Sequence, residues 1–351
     1  MKLGLILGYS GARVEIPIDL VRLAENLGYD SVWTSEAYGS DAMTPLAWIA
    51  AQTSRIRLGT SVAQLAGRPP AMCAMQAMTV DGLAGGGRMI VGLGVSGPQI
   101  VEGWYGQPWG KPYWRARDYI EIMRKIFRRE GPVSHEGREI SLPYHGAGAT
   151  GLGKPLFSII HPARDIPIYL GTGSESMLRL CGELCDGALP LRFVPRQMAR
   201  YKRPIEGGFE RAGNGKSWGD FSFEAVVPVI VTQDVKAALR SLKPGIALYV
   251  GGMGHPAVNF HKRAMEQLGY AAAAGRIEDL FRAGRKREAA DAVPDEFVDE
   301  QALVGPPDRI RQGYHAWAEC GITSLHIDTS QAAAIELMAD IAGTGSAVGK
   351  P

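Results

Sequence analysis

Cysteine is scarce in this chain, charge of either sign is balanced, and long apolar runs are missing. Four cysteines, Cys73, Cys181, Cys185 and Cys320, among 351 residues are too few and too scattered for a disulfide framework. No stretch approaches the roughly 18 consecutive apolar residues of a bilayer-spanning helix. The apolar run from Lys2 to Leu7 is too short for a secretory leader. Lys and Arg number 38 against 36 Asp and Glu, a net charge of +2, so neither nucleic acid nor an anionic membrane is expected as the main partner. Metal-ligand spacings are lacking too: His255 and His261, six apart, fit neither HExxH nor a zinc finger, and no metal is expected. A soluble, cytoplasmic globular protein is the expectation. At this length the core needs no covalent staple.

What is present is alternation. Residues 2–7, 30–34, 56–62, 88–95, 166–170, 186–190, 222–231 and 324–327 read as strands, being short apolar runs rich in residues suited to pleated, buried surfaces. Helical spacing separates them, as in Ile16, Leu20, Leu23, Ala24 and Leu27 before Gly28, or in 44–52 with Pro45 in its first turn. Eight strands, each followed by helix, predict an α/β fold, a (β/α)₈ TIM barrel formed by the whole chain, with insertions at about 97–153 and 245–305. An open doubly wound sheet is the rival. The first insertion holds a helix over 113–129, a hairpin over 133–142 turning at Glu136-Gly137, and an exposed Gly/Ala-rich loop over 144–153.

Several motifs carry chemistry. Gly92-Leu93-Gly94-Val95-Ser96-Gly97 matches GxGxxG, but three strand–helix units precede it and Pro98 follows. It reads as a strand tip approached closely by a planar ligand rather than as a dinucleotide site. Gly171-Thr172-Gly173-Ser174 follows a strand and opens a helix, where free N–H groups would favour a phosphate; alternatively Ser174 merely caps the helix. No Walker lysine is present, so a phosphate would be held there and not transferred. Trp104, Tyr105, Trp109, Tyr113 and Trp114, interleaved with Gly and Pro, fit no helical period. They roof a flat ligand or form a self-packing insertion. Glu36 ends the second strand, where a barrel places its chemistry, or else it caps a helix. Cys181 and Cys185 read as buried small hydrophobes.

Taken together, these residues resemble a known family. Thr53-Ser54-Arg55-Ile56-Arg57-Leu58-Gly59-Thr60-Ser61-Val62 is similar to the third-strand signature of the bacterial luciferase-like superfamily. The likeness continues through Arg68-Pro69-Pro70, Gln76, Asp81, Gly86-Gly87-Arg88, the Gly92–Pro98 run, Lys154-Pro155-Leu156, Ile166–Gly171, Asp186-Gly187, Asn259-Phe260 and Leu268-Gly269-Tyr270. It is strongest to the actinobacterial branch that uses coenzyme F420, a deazaflavin. The resemblance implies a (β/α)₈ barrel with the deazaflavin at the strands' C-terminal ends. It puts a non-prolyl cis peptide at Ser61-Val62 behind the ring, Gly94, Val95 and Ser96 beside it, and its phosphate on Gly171, Thr172, Gly173 and Ser174. Glu36 falls where relatives carry a ring-contacting acid. Ala37 stands where several relatives have a proton-transferring histidine, and Gly97-Pro98 where some carry a second acid. The expected proton donors are therefore Glu36, Tyr38, Tyr9 or water, with His255 an outside candidate.

The expected function is hydride transfer between the deazaflavin C5 and a small organic molecule, an apolar carbonyl, alcohol or enone, in a pocket lined by Tyr9, Trp104 and Trp109. The alternatives are an FMN-dependent two-component monooxygenase of the same superfamily, a deazaflavin-binding barrel without turnover, and a phosphate-ligand barrel enzyme without redox chemistry. Pairing of family members through barrel helices makes a homodimer the expectation.

Overall fold

The computed structural model describes residues 1–254 and 258–344. Eight parallel strands follow one another around a closed barrel: β1 (Lys2–Gly8), β2 (Ser31–Thr34), β3 (Arg57–Thr60), β4 (Met89–Gly94), β5 (Ile168–Thr172), β6 (Gly187–Pro190), β7 (Ser222–Val231) and β8 (Ser324–Asp328). Closure comes from β8 pairing with β1, Lys2 opposite Ser324 through Ile6 opposite Asp328. With Ser222–Phe223 of β7 pairing Gly187–Ala188 of β6, the eight strands form a closed ring, which removes the open-sheet alternative. Helices α1 (Ile18–Asn26), α2 (Thr44–Ala50) and α3 (Pro70–Leu83) begin the outer ring. None of the described helices is long and apolar enough to cross a membrane.

The main core lies between barrel and helices, built on residues such as Leu3, Leu5, Leu46, Ile49, Leu58, Ile120 and Leu325. Inside the barrel Trp33, Ile90, Tyr169 and Leu189 pack together. The indole of Trp33 stacks on His326 with ring centroids 4.5 Å apart. Beside them Glu224, fully enclosed, takes the Tyr169 hydroxyl (3.1 Å) and sits 2.6 Å from His326 Nε2. Those partners are what make a buried carboxylate tolerable. A further apolar core, including Ala247, Val250, Met265, Ile277 and Phe297, underlies the helices between β7 and β8.

Three local features differ from the sequence expectation. The third strand stops at Thr60; the Ser61–Val62 peptide is cis, and the chain steps across to pair Ala63–Gln64 with Leu93–Gly94. The hairpin pairs His135 with Leu142 and Glu136 with Ser141, so its turn falls on residues 137–140. Leu303–Gly305 adds a short strand alongside Val229–Val231, inside a region whose pattern reads as helical.

Candidate active site

Barrel geometry gathers the chain's turns at the C-terminal ends of the strands. After β3 the cis Ser61–Val62 bulge places the Val62 side chain over two glycines on neighbouring strands. A Cβ on Gly94 would lie 2.3 Å from Val62 Cγ2, and one on Gly171 would lie 2.8 Å from Val62 Cγ1. Both positions must therefore be glycine while Val62 sits there. Ser35 Oγ donates to the Ser61 carbonyl at 2.7 Å, tying the bulge to the end of β2. Val95 and Ser96, the latter with φ of +57°, continue from Gly94 on the same rim.

Glu36 is buried beneath this bulge. One carboxylate oxygen accepts from the Gln64 amide at 2.8 Å, and the other accepts from the Ala42 amide at 3.1 Å and pairs with Arg68. Both oxygens are thus engaged. Arg68, named in the sequence only as part of a motif, is the partner that sequence reasoning did not assign. Tyr105 leans over Gly67 nearby, its phenol pushed up to about 12 by burial and then by the Glu36 charge. Two enclosed polar atoms here, Gln64 Oε1 and Arg68 Nη1, have no protein partner, as expected where a bound group completes the hydrogen bonding.

The Gly171–Ser174 segment ends β5 and opens the helix Glu175–Leu184. Ser174 occupies the N-cap without its side chain capping the helix, so the first-turn N–H groups stay available. A Cβ on Gly173 would meet only Leu191 Cβ, 3.9 Å away, leaving the loop open. Arg200 donates to the Gly173 carbonyl at 3.3 Å, which adds a cation beside it. These features suit a phosphate.

The remaining rim is aromatic. The Tyr9 and Tyr249 hydroxyls are 3.0 Å apart, and burial followed by that hydrogen bond pushes the Tyr249 phenol up. Tyr249 lies in the π-helical turn Leu248–Gly252, within the second insertion. Tyr38 donates to Met253 Sδ at 3.0 Å, and Gln99 donates to the Met253 carbonyl. Met253 thereby joins the second insertion to the loops after β2 and β4 across the mouth. Trp104 is exposed and meets Tyr38 edge-on at 6.5 Å. Trp109 instead lines a small crevice with Leu65, Val95 and Pro112, and Trp114 lies under the Arg138 guanidinium. The aromatic run is therefore divided between roof and packing. His255 lies outside the described residues.

Arg192 after β6 and His261 in the second insertion also reach this face, and nothing in the sequence pattern assigned them to it. A lone arginine within Ala188-Leu189-Pro190-Leu191-Arg192-Phe193-Val194 was the one signal. A hollow of about 720 Å³ is at the opposite end, lined by Arg124, Lys125, Glu183, Asp186 and Lys216. Its charges pair with neighbours, Arg117 with Glu183 and Arg124 with Asp186, and that face of a barrel serves stability. Among the described residues no cluster of three or more His, Cys, Asp or Glu is arranged to hold a metal.

Comparison with known proteins fits this geometry. A Mycobacterium tuberculosis protein provisionally named a coenzyme F420-dependent oxidoreductase is 48% identical over 334 residues, covering 95% of this chain and 96% of its own. The 5,10-methylenetetrahydromethanopterin reductase of Archaeoglobus fulgidus is 28% identical, over 87% of this chain and 86% of its own. Among solved structures, the coenzyme F420-dependent tetrahydromethanopterin reductase from Methanopyrus kandleri superposes with a TM-score of 0.79, at 22% identity, over 96% of this chain and 97% of its own. That likeness is one of fold. The family model of the luciferase-like monooxygenases matches residues 6–324, and the chain belongs to that family.

Proposed function

We propose that this protein is a coenzyme F420-dependent oxidoreductase that exchanges a hydride with a carbonyl or alcohol carbon of a small organic substrate. The observation that supports this most is the Val62 platform, seated on Gly94 and Gly171 and continuous with the open loop Gly171–Ser174. It offers a flat surface and an anion site on one rim, the two things a phosphate-bearing deazaflavin needs. The 48% identical relative named for the same cofactor supports the choice of ring. Ser61, Val62, Gly94, Val95 and Ser96 would border the ring, and Gly171, Thr172, Gly173 and Ser174 would hold its phosphate. The bound deazaflavin supplies the hydride-exchanging carbon.

The chain's own part is orientation, exclusion of water and placement of a proton. Glu36, with both oxygens engaged by Ala42, Gln64 and Arg68, is a positioning residue for the bulge. With alanine at position 37, the Tyr9 and Tyr249 hydroxyls, 3.0 Å apart at this mouth, are the groups of this chain that would hand a proton to the reacting oxygen. Tyr38, Met253 and Trp104 cover the mouth.

The test is a pair of fluorescence titrations of the purified protein, with coenzyme F420 and with flavin mononucleotide. Tight binding of the deazaflavin alone is expected. Preference for the flavin, accompanied by oxygen uptake once the flavin is reduced, would overturn this reading in favour of a two-component monooxygenase. Tight deazaflavin binding with no turnover across ketones and alcohols would favour a binding barrel.

A further inference from the structure

Arg192 follows β6 at the C-terminal face with φ of +48°, a left-handed conformation that a non-glycine side chain adopts at a cost. Its Nε is shut off from solvent and has no partner, and no hydrogen bond or ion pair engages its guanidinium among the described residues. Other half-buried arginines differ: Arg57 is paired with Asp30, Arg68 with Glu36 and Arg117 with Glu183. Burial pushes the Arg192 guanidinium down to about 10, so it still carries its charge at neutral pH. The residue is half-buried with Nε enclosed, and an oxyanion would meet this unpaired cation through a two-bond fork.

The groups around Arg192 are neutral donors and acceptors. Its charge acts on the Tyr249 phenol, which is hydrogen-bonded to Tyr9. The His261 ring lies 4.6 Å from that of Tyr249, and His261 Nδ1 is enclosed without a partner. Burial, followed by the Arg192 charge, holds His261 down to about 3, so the imidazole is neutral. Thus a cation, a phenol pair and an imidazole with an unused nitrogen meet with no carboxylate among them.

Barrel order separates this group from the cofactor platform. Val62, Gly94 and the Gly171–Ser174 loop stand on β3, β4 and β5, whereas Arg192 follows β6, Tyr9 follows β1, and Tyr249 and His261 come from the insertion after β7. Arg192 follows Leu191, which borders Gly173, so the cluster starts beside the anion loop and extends away from it toward β7 and β1. We infer that Arg192, with the neutral His261 near it, binds an oxyanionic end, a carboxylate or a phosphate, of the substrate, leaving the Tyr9–Tyr249 pair to the reacting oxygen. The substrate class is then an organic acid or phosphate ester whose carbonyl or alcohol carbon is held toward the ring. This rests on the proposed function for the position of the ring, but the anion site itself does not.

The experiment titrates Arg192→Met and the unaltered protein with coenzyme F420 and with its phosphate-free deazaflavin core. Each protein is then titrated, cofactor-loaded and cofactor-free, with benzoate and with phenyl phosphate by calorimetry. Expected is binding of one or both anions to the unaltered protein and a loss of at least about tenfold in Arg192→Met, with both deazaflavins bound as before. Benzoate alone would mark a carboxylate, phenyl phosphate alone a phosphate ester. Should Arg192→Met fail to fold, Arg192→Lys, which keeps the charge but not the fork, is expected to lose part of the anion affinity. A fall in F420 affinity with the core unaffected would assign Arg192 to the cofactor's phosphate and overturn the inference. Equal anion binding by variant and unaltered protein, or none by either, would overturn it as well. If the deazaflavin does not bind at all, the proposed function fails, and anion binding by the cofactor-free protein still decides the role of Arg192.

Discussion

The carboxylate of Glu36 and the guanidinium of Arg68 form an ion pair whose side chains are only 3% and 10% exposed. The same carboxylate accepts the Gln64 amide, so the pair fixes the segment carrying Ser61 and Val62. Glu36→Gln would put an NH₂ among donors and strand the Arg68 charge. Removing one partner of such a buried pair costs about 3–5 kcal/mol. We expect a clear drop in melting temperature together with weaker deazaflavin binding. Adding Arg68→Met should recover much of the stability but not the binding. Unchanged melting and unchanged affinity in Glu36→Gln would remove the pair from the site.

Val62 and Gly94 make a second testable contact. A methyl at position 94 would intrude to 2.3 Å of Val62 Cγ2, and overpacking of this kind costs about 1–3 kcal/mol. Gly94→Ala should therefore displace Val62 and weaken deazaflavin binding. Val62→Ala on the same background should restore part of it, because residues in contact couple by about 0.5–3 kcal/mol. Strictly additive effects in that double-mutant cycle would show that the two side chains do not share one platform.

Much of the fold was legible because strands and helices here are punctuated by glycine and proline at their physical stations. Pro45 and Pro70 sit in the first turns of α2 and α3, where a missing N–H costs nothing. The end of β3 at Thr60 was not legible from propensity, since the run 56–62 is suited to a strand throughout. Only the family likeness placed the cis bond at Ser61-Val62. Some motif residues belong to the far end of the barrel: Asp81 accepts the amides of Gly87, Arg88 and Met89, each at 2.9 Å, and clasps the entry to β4. Arg192 and His261 escaped because side-chain type does not reveal burial. An arginine just after a strand, or a histidine in the first turn of a helix, reads as solvated until the packing around it is known.

Gly173 tests the anion loop separately from the ring platform. Only Leu191 Cβ lies within 4 Å of where a methyl on Gly173 would sit, so Gly173→Ala should fold and bind normally. Gly173→Asp places a negative charge at a helix N-terminus where a phosphate would sit. It should lower F420 affinity by at least about tenfold, the equivalent of about 1.4 kcal/mol, while sparing the phosphate-free core. Equal losses for both ligands would mean that the loop senses ring placement and not phosphate.

Trp48 on α2 and Met72 and Met75 on α3 are about half exposed, on helices that pack against each other. Exposed large apolar side chains on neighbouring elements are a common mark of association, and a homodimer through these helices is the expected state. Sedimentation should show a dimer for the unaltered chain and a monomer for Met75→Glu. A monomeric unaltered chain would sink the assignment.

His261 makes stability depend on pH in a definite direction. Burial and the Arg192 charge hold its folded value to about 3, against 6.5 for the free side chain. Below about pH 6.5 the unfolded chain takes up a proton that the folded protein refuses. The contribution of this residue is therefore fully present above that pH and is lost progressively as pH falls toward 3. One proton corresponds to about 1.4 kcal/mol per pH unit. Urea unfolding at about pH 7, 6 and 5 should show a steeper acid loss for the unaltered protein than for His261→Gln. In Arg192→Met, where one of the two causes is gone, the loss should begin at the same pH and level off sooner. Parallel curves for all three proteins would mean that the imidazole is hydrated and charged in the folded state, and the neutral surroundings argued for Arg192 would then fall with it.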